Sequence, residues 1–202
     1  MITVRKSTLE DNKDFTELLL MSASYFPILF GYKIKTVLQD LFHWRLNLFS
    51  FEHVYFAEID GEKAGMILGY DWQVKKRENL KTGFLLCKKI GISILGKFLL
   101  LKKFNASVGR VCDGAYYISN IATYPQYRGK GVGKRLILEA EQEAKMVDAE
   151  RIVLDVEMEN ISAIKFYKKL GYKMIKEFSI PLQSDKILHL NRMAKEINDN
   201  FA

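Results

Sequence analysis

Gly129, Gly131 and Gly133 fall within five positions of one another, flanked by Arg128, Lys130 and Lys134, between an apolar run that ends near Thr123 and a long amphipathic run that begins at Lys134. Glycines at this spacing let the backbone turn tightly and aim several N–H groups at one point, and a helix starting directly after them adds the positive end of its dipole. The chemistry such a bend offers is anion binding, and a pyrophosphate suits it. No Gly-Lys-Ser/Thr closes the stretch, so it is not a P-loop, and Leu136 stands where the dinucleotide fingerprint G-x-G-x-x-G needs its last glycine. By itself the pattern also reads as a glycine-rich strand-to-helix turn kept soluble by its Arg and Lys.

Downstream lies Asn160-Ile161-Ser162-Ala163-Ile164-Lys165-Phe166-Tyr167-Lys168-Lys169-Leu170-Gly171-Tyr172. Asn160 is a good N-cap, and Ala163, Phe166, Tyr167 and Leu170 recur at the spacing of one helix face. The basic pair Lys168-Lys169 suits a last turn, and Gly171 a left-handed residue just past it. On such a face Tyr167 is ordinarily a core aromatic with its hydroxyl at the surface.

Arg128-x-x-Gly131-x-Gly133 resembles the acyl-CoA pyrophosphate loop of the GCN5-related N-acetyltransferases (GNAT). The second stretch looks like that family's other signature, N-x-x-A-x-x-F/Y-Y-x-x-x-G-F/Y, in the expected order. The resemblance implies acetyl-CoA as co-substrate and direct attack of an amine on the thioester in a ternary complex. It assigns the diphosphate to Arg128, Gly129, Lys130, Gly131, Val132, Gly133 and Lys134. It places main-chain groups of Ile121, Ala122 and Thr123 along the pantetheine arm beside the thioester carbonyl, and Asn160 with Ala163 against the cofactor arm. Tyr167 becomes the general acid for the thiolate, a task that suits a phenol because its reference pKa of about 10 keeps it protonated near neutrality. The same residues also serve a non-catalytic acyl-CoA sensor.

Composition limits the alternatives. At 202 residues and 49% hydrophobic content the chain reads as one domain, 1–202, with no flexible linker or low-complexity tract. Cys87 and Cys112 are too few for a disulfide framework, and Met1 to Lys6 has no signal-peptide core, so a cytoplasmic setting is expected. His43, His53 and His189 lack ligand spacing, so no metal is expected. There is no G-x-S-x-G elbow, and neither cysteine sits in a nucleophile motif.

Hydrophobic periodicity supplies the elements that must position these residues. Ile2 to Lys6 alternates as a strand, Thr8 to Asp11 caps a helix that carries Phe15, Leu18, Leu19 and Ser22, and a second helix is expected over 33–48 with Val37, Leu41, Trp44 and Leu48 on one side. Val54 to Ile59, the turn Asp60 to Lys63, and Ala64 to Trp72 read as a hairpin. Gly114 to Thr123 is a buried strand, Lys134 to Val147 a helix, Arg151 to Glu157 a strand, and Tyr172 to Phe178 with Lys186 to Met193 the last two strands. This α/β order is that of the GNAT fold, which implies a mixed, mostly antiparallel central sheet flanked by helices.

Residues 73–110 depart from the family, many of whose members have a short turn there. Nine lysines and arginines against the single acid Glu78 make 73–105 +8 in a chain of +7, so the remainder sums to about −1 and the basic character is local. The segment is also greasy, yet Lys88, Lys89 and Lys97 interrupt every window of about 18 residues that a bilayer core requires. A helix projection places Cys87, Ile90, Ile94, Phe98 and Leu101 on one side, while Gly91 and Gly96 favour two short helices. Three roles suit it: a helical cover beside the acceptor cleft, a self-association surface making a homodimer of a monomer, or a basic element on an anionic membrane surface or partner. No nucleic-acid signature accompanies the charge.

The general base stays open. Many relatives carry Glu or His where this chain has Tyr117, with Ser119 two residues on, and neither is a good base near neutrality. A water chain, one of Glu58, Asp71, Asp113 and Glu157, or an acceptor that binds already neutral are the alternatives. The acceptor is expected to be the amine of a small molecule, peptide or protein.

Overall fold

The computed structural model describes residues 1–91, 100–101, 104, 107–108, 111–183 and 186–197. Its strands are β1 (Ile2–Lys6), β2 (Val54–Ile59), β3 (Glu62–Asp71), β4 (Ala115–Thr123), β5 (Arg151–Glu157), β6 (Lys173–Gln183) and β7 (Lys186–Glu196). Its helices are α1 (Asn12–Ser22), α2 (Phe26–Phe30), α3 (Ile34–His43), α4 (Trp72–Ile90), α5 (Val132–Met146) and α6 (Ile161–Lys169). The strands form one sheet in the order β1-β2-β3-β4-β5-β7-β6. β4 and β5 run parallel, and every other neighbouring pair is antiparallel.

Alternation along the strands divides the core. Val54, Phe56, Met66 and Leu68 pack with Phe15, Leu18, Val37 and Leu41 of α1 and α3 on one face. Ile67, Tyr116 and Ile118 pack with Leu136, Ile137 and Ala140 of α5 on the other. At the entry to α1, the Thr8 N–H donates to Asp11 Oδ2 over 2.7 Å. Arg5 Nη1 at 2.7 Å and Lys63 Nζ at 3.0 Å neutralise this Asp11 carboxylate, which is almost fully buried and held well below the usual range.

Several element bounds differ from the sequence reading. α3 stops at His43 rather than Leu48, because Asn47 Nδ2 donates to Leu41 O at 2.9 Å and to Trp44 O at 2.7 Å, taking carbonyls that a further turn would use. Leu48 is buried against Tyr70 and Tyr117 instead of on the α3 face. α2 has no counterpart in the sequence reading. The hairpin turn is only Asp60 and Gly61, both at positive φ (52° and 84°), so β3 starts at Glu62. β6 and β7 extend further than expected, with nine register pairs between them.

α4 is one helix of 19 residues, with Asp71 Oδ1 accepting from Val74 N at 2.8 Å at its start and Gly91 at its end. Of the expected side, Ile90 is buried in the core and Leu101 packs against it, but Cys87 is exposed, and Glu78 and Thr82 are buried besides. Buried partners explain this: His53 Nε2 lies 2.8 Å from Glu78 Oε2, and Leu48 N donates to Thr82 Oγ1 at 2.9 Å. Ile94 and Phe98 lie outside the described residues. Among the described residues no helix is long and apolar enough to cross a membrane.

Candidate active site

β4 and β5 pair only from Ala115 with Arg151 to Ile118 with Leu154. In the β3–β4 ladder Leu68 faces Asn120 and Gly69 faces Ile118, leaving Ser119 as the extra residue of a β-bulge. Beyond it β4 stays with β3, while Asp155, Val156 and Glu157 stay with β7, and the two parallel strands part. A cavity of about 830 Å³ opens there, lined on one side by Ile121, Ala122 and Thr123 and on the other by Asp155, Val156 and Glu157. The inner edge of late β4 therefore offers main-chain N–H and C=O groups that no strand covers.

The glycine bend closes one end of this cleft. Arg128 is extended, Gly131 is the left-handed N-cap of α5 (φ 89°), and the helix begins at Val132, two residues before the expected Lys134. Arg135 N makes the first bond back to Gly131 O, so the amides of Val132, Gly133 and Lys134 face outward with the helix dipole behind them. A Cβ on Gly133 would lie 3.4 Å from Phe166 Cζ, which shows how closely α5 and α6 approach. Arg128, Gly129, Gly131, Val132, Gly133 and Lys134 all line the cleft. Lys130 does not, and its ammonium instead lies 5.2 Å from the Tyr127 ring centroid.

α6 supplies the opposite wall. Asn160 caps it, its Oδ1 accepting from Ala163 N at 3.1 Å, as the sequence predicts, and Gly171 follows its end at φ 91°. Asn160, Ala163 and Tyr167 line the cleft. The Tyr167 ring is buried between Phe166 (5.3 Å) and Tyr172 (5.9 Å), and burial pushes the phenol above its ordinary pKa. Its hydroxyl has no hydrogen-bond partner among the described residues.

The candidates for proton removal separate clearly. Tyr117 donates its hydroxyl to Asp155 Oδ2 at 3.1 Å, and burial and that carboxylate raise its pKa, so the group is a donor. Glu58 pairs with Arg5 at 2.7 Å, Asp71 caps α4, and Asp113 is exposed away from the cleft. Glu157 alone of the four carboxylates lines the cleft, and burial, then the neighbouring Glu159, raises its pKa. The cleft is thus polarised, with Arg128 and Lys134 at the glycine end and carboxylates along β5.

Ser22 and Tyr25 reach the site although no local pattern brings them there. Ser119 Oγ donates to Asn120 Oδ1, Asn120 Nδ2 to Ser22 Oγ, and Ser22 Oγ to Leu19 O, each at 2.9 Å, tying the bulge to the end of α1. Tyr25 also lines the cleft. These residues lie about a hundred positions from the bulge, beyond any local pattern. Asp155 was detectable as the one charge inside the apolar run Ile152 to Val156.

Known proteins resemble this chain in sequence and in fold. The uncharacterized N-acetyltransferase YobR of Bacillus subtilis is 30% identical over 60% of this chain and 45% of its own length. An N-alpha-acetyltransferase of Sulfurisphaera tokodaii is 30% identical over 64% of this chain and 62% of its own. The chain thus spans less than two thirds of either relative. Among solved structures, an N-acetyltransferase from Staphylococcus aureus Mu50 matches with a TM-score of 0.71 at 19% identity, over 96% of this chain and 100% of that one. The Salmonella typhimurium protein yncA, solved with its cofactor acetyl-CoA, matches at 0.60 and 17% identity, over 100% and 96%. At these identities the structural likeness is one of fold. The acetyltransferase (GNAT) family matches residues 17–172, which include the parted strands, the glycine bend and the capped α6, and the chain belongs to that family.

Proposed function

We propose that the chain is an N-acetyltransferase that moves the acetyl group of acetyl-CoA to a primary amine by direct attack, without an acyl-enzyme. The parting of β4 from β5 beside the glycine bend carries this reading, because it supplies in one cleft an anion site and a free strand edge. Acetyl-CoA brings the activated thioester. The outward amides of α5, with Arg128, hold its diphosphate, and the strand edge at Ile121 to Thr123 orients the arm and offers fixed donors where charge develops on the carbonyl oxygen. Lys130 acts at the rim rather than in the cradle.

Glu157 is the base in this reading. A half-buried carboxylate with a raised pKa is better matched to an amine proton than an ordinary one. The amine nitrogen forms its bond to the carbonyl carbon, its proton passes to Glu157 directly or through water, the carbon–sulfur bond breaks, and Tyr167 protonates the departing thiolate. Calorimetry with acetyl-CoA, followed by release of free thiol in the presence of pooled primary amines, tests the assignment. Binding with amine-dependent thiol release is expected, binding without release points to a sensor, and no binding removes both.

A further inference from the structure

A second cavity of about 560 Å³ adjoins the cleft, and Tyr25, Ser119 and Asn120 line both. Its walls are mainly apolar: Phe26 and Phe30 of α2, Phe49, and Leu86 of α4. Lys75 of α4 is the single charged residue among its described lining. Two other lysines of that helix have close polar partners, Lys89 in Asp40 at 2.7 Å and Lys81 in Arg45 O at 3.2 Å. Lys75 has none among the described residues: its ammonium lies 5.8 Å from the Tyr70 ring centroid, the charge of Asp155 acts on it only from a distance, and no carboxylate is within ion-pair distance.

An ammonium in a greasy wall is costly unless an anion answers it. We propose that this cavity receives the acceptor, and that the acceptor is an amino acid-like molecule: an apolar body against the aromatic walls, a carboxylate on Lys75, and a primary amine directed past Ser119 and Asn120 into the cleft. The inference rests on the transferase reading for the fate of the amine, but not for the binding itself. The desolvation of this partly buried ammonium agrees with it, lowering its pKa to about 8 against the opposing charge of Asp155, because a bound carboxylate restores the lost stabilisation of the charge. It also gives the inserted α4 a purpose as the wall that selects the acceptor.

Matched pairs test it on the full chain with CoA present: phenylalanine against phenylethylamine, and a long ω-amino acid against the alkylamine of the same length. Calorimetry is expected to show that in at least one pair the acid binds about tenfold or more tightly than its decarboxylated partner, as a charge-assisted contact implies. Lys75→Met is expected to abolish that preference and Lys75→Arg to keep it, with CoA affinity unchanged in both. Equal binding within each pair, or a preference that survives Lys75→Met, overturns the proposal. So does acetylation of Lys75 itself, read by intact mass after incubation with acetyl-CoA, since the lysine is then the acceptor. Acid-selective binding without thiol release leaves the cavity assignment standing and removes the transferase reading. Thiol release only with amines that lack a carboxylate does the reverse.

Discussion

Tyr117 on β4 donates its hydroxyl to Asp155 on β5 over 3.1 Å, just where the two strands stop pairing. Arg192 of β7 closes on the same carboxylate, with Nε at 2.7 Å and Nη2 at 2.9 Å. This clasp holds the apex of the wedge, so Tyr117 has a structural task here. Tyr117→Phe is expected to cost about 1 kcal/mol of stability and to leave kcat within a few-fold. Asp155→Ala removes the carboxylate facing the largely buried Arg192 and is expected to cost about 3–5 kcal/mol. Denaturant unfolding alongside steady-state rates checks both, and a large loss of kcat in folded Tyr117→Phe contradicts the assignment.

Tyr167→Phe keeps the ring packing against Phe166 and Tyr172 and removes only the hydroxyl. A fall in kcat of about 10²-fold or more with nearly unchanged acetyl-CoA affinity is expected. Full activity in this variant removes Tyr167 from the chemistry.

Glu157 acts as a base only when ionised, so kcat/KM should rise with pH through its ionisation. Burial and Glu159 place that rise above the ordinary glutamate value of 4.5. Glu157→Gln is expected to lower kcat/KM by about 10²-fold near neutrality and to erase this ascending limb. A pH profile that keeps the limb in the variant assigns it to another group.

Gly131 caps α5 at φ 89°, a conformation that costs a β-branched residue about 1–2 kcal/mol. A Cβ there would meet only Ile2 Cδ1, at 3.7 Å, so strain rather than collision is the penalty. Relief of that strain turns the amides of Val132 and Gly133 out of aim. Gly131→Val is expected to weaken acetyl-CoA binding by about tenfold or more, measured by calorimetry, while the thermal midpoint falls by a few degrees.

Local patterns were legible wherever a short stretch of chain decides its own conformation. Alternation located β1 and a short apolar run located β5 to the residue, Asn160 declared itself as a cap, and the three glycines marked the bend before α5. The end of α3 was not legible, because Asn47 stops it through carbonyls that the pattern of Val37, Leu41, Trp44 and Leu48 does not register. The burial of Glu78 and Thr82 on α4 was not legible for a similar reason: their partners, His53 and Leu48, come from distant segments.

Family membership, the glycine bend and the capped start of α6 were therefore written in the sequence, because backbone conformation and capping depend on neighbours a few residues away. The place of Glu157 alone among four carboxylates in the cleft lining, the clasp of Tyr117 on Asp155 and the seat of Lys75 over Tyr70 in the second cavity were decided by tertiary structure alone. Ionisation and pairing depend on burial and on charges brought together across the sheet, and no spacing along the chain encodes those distances.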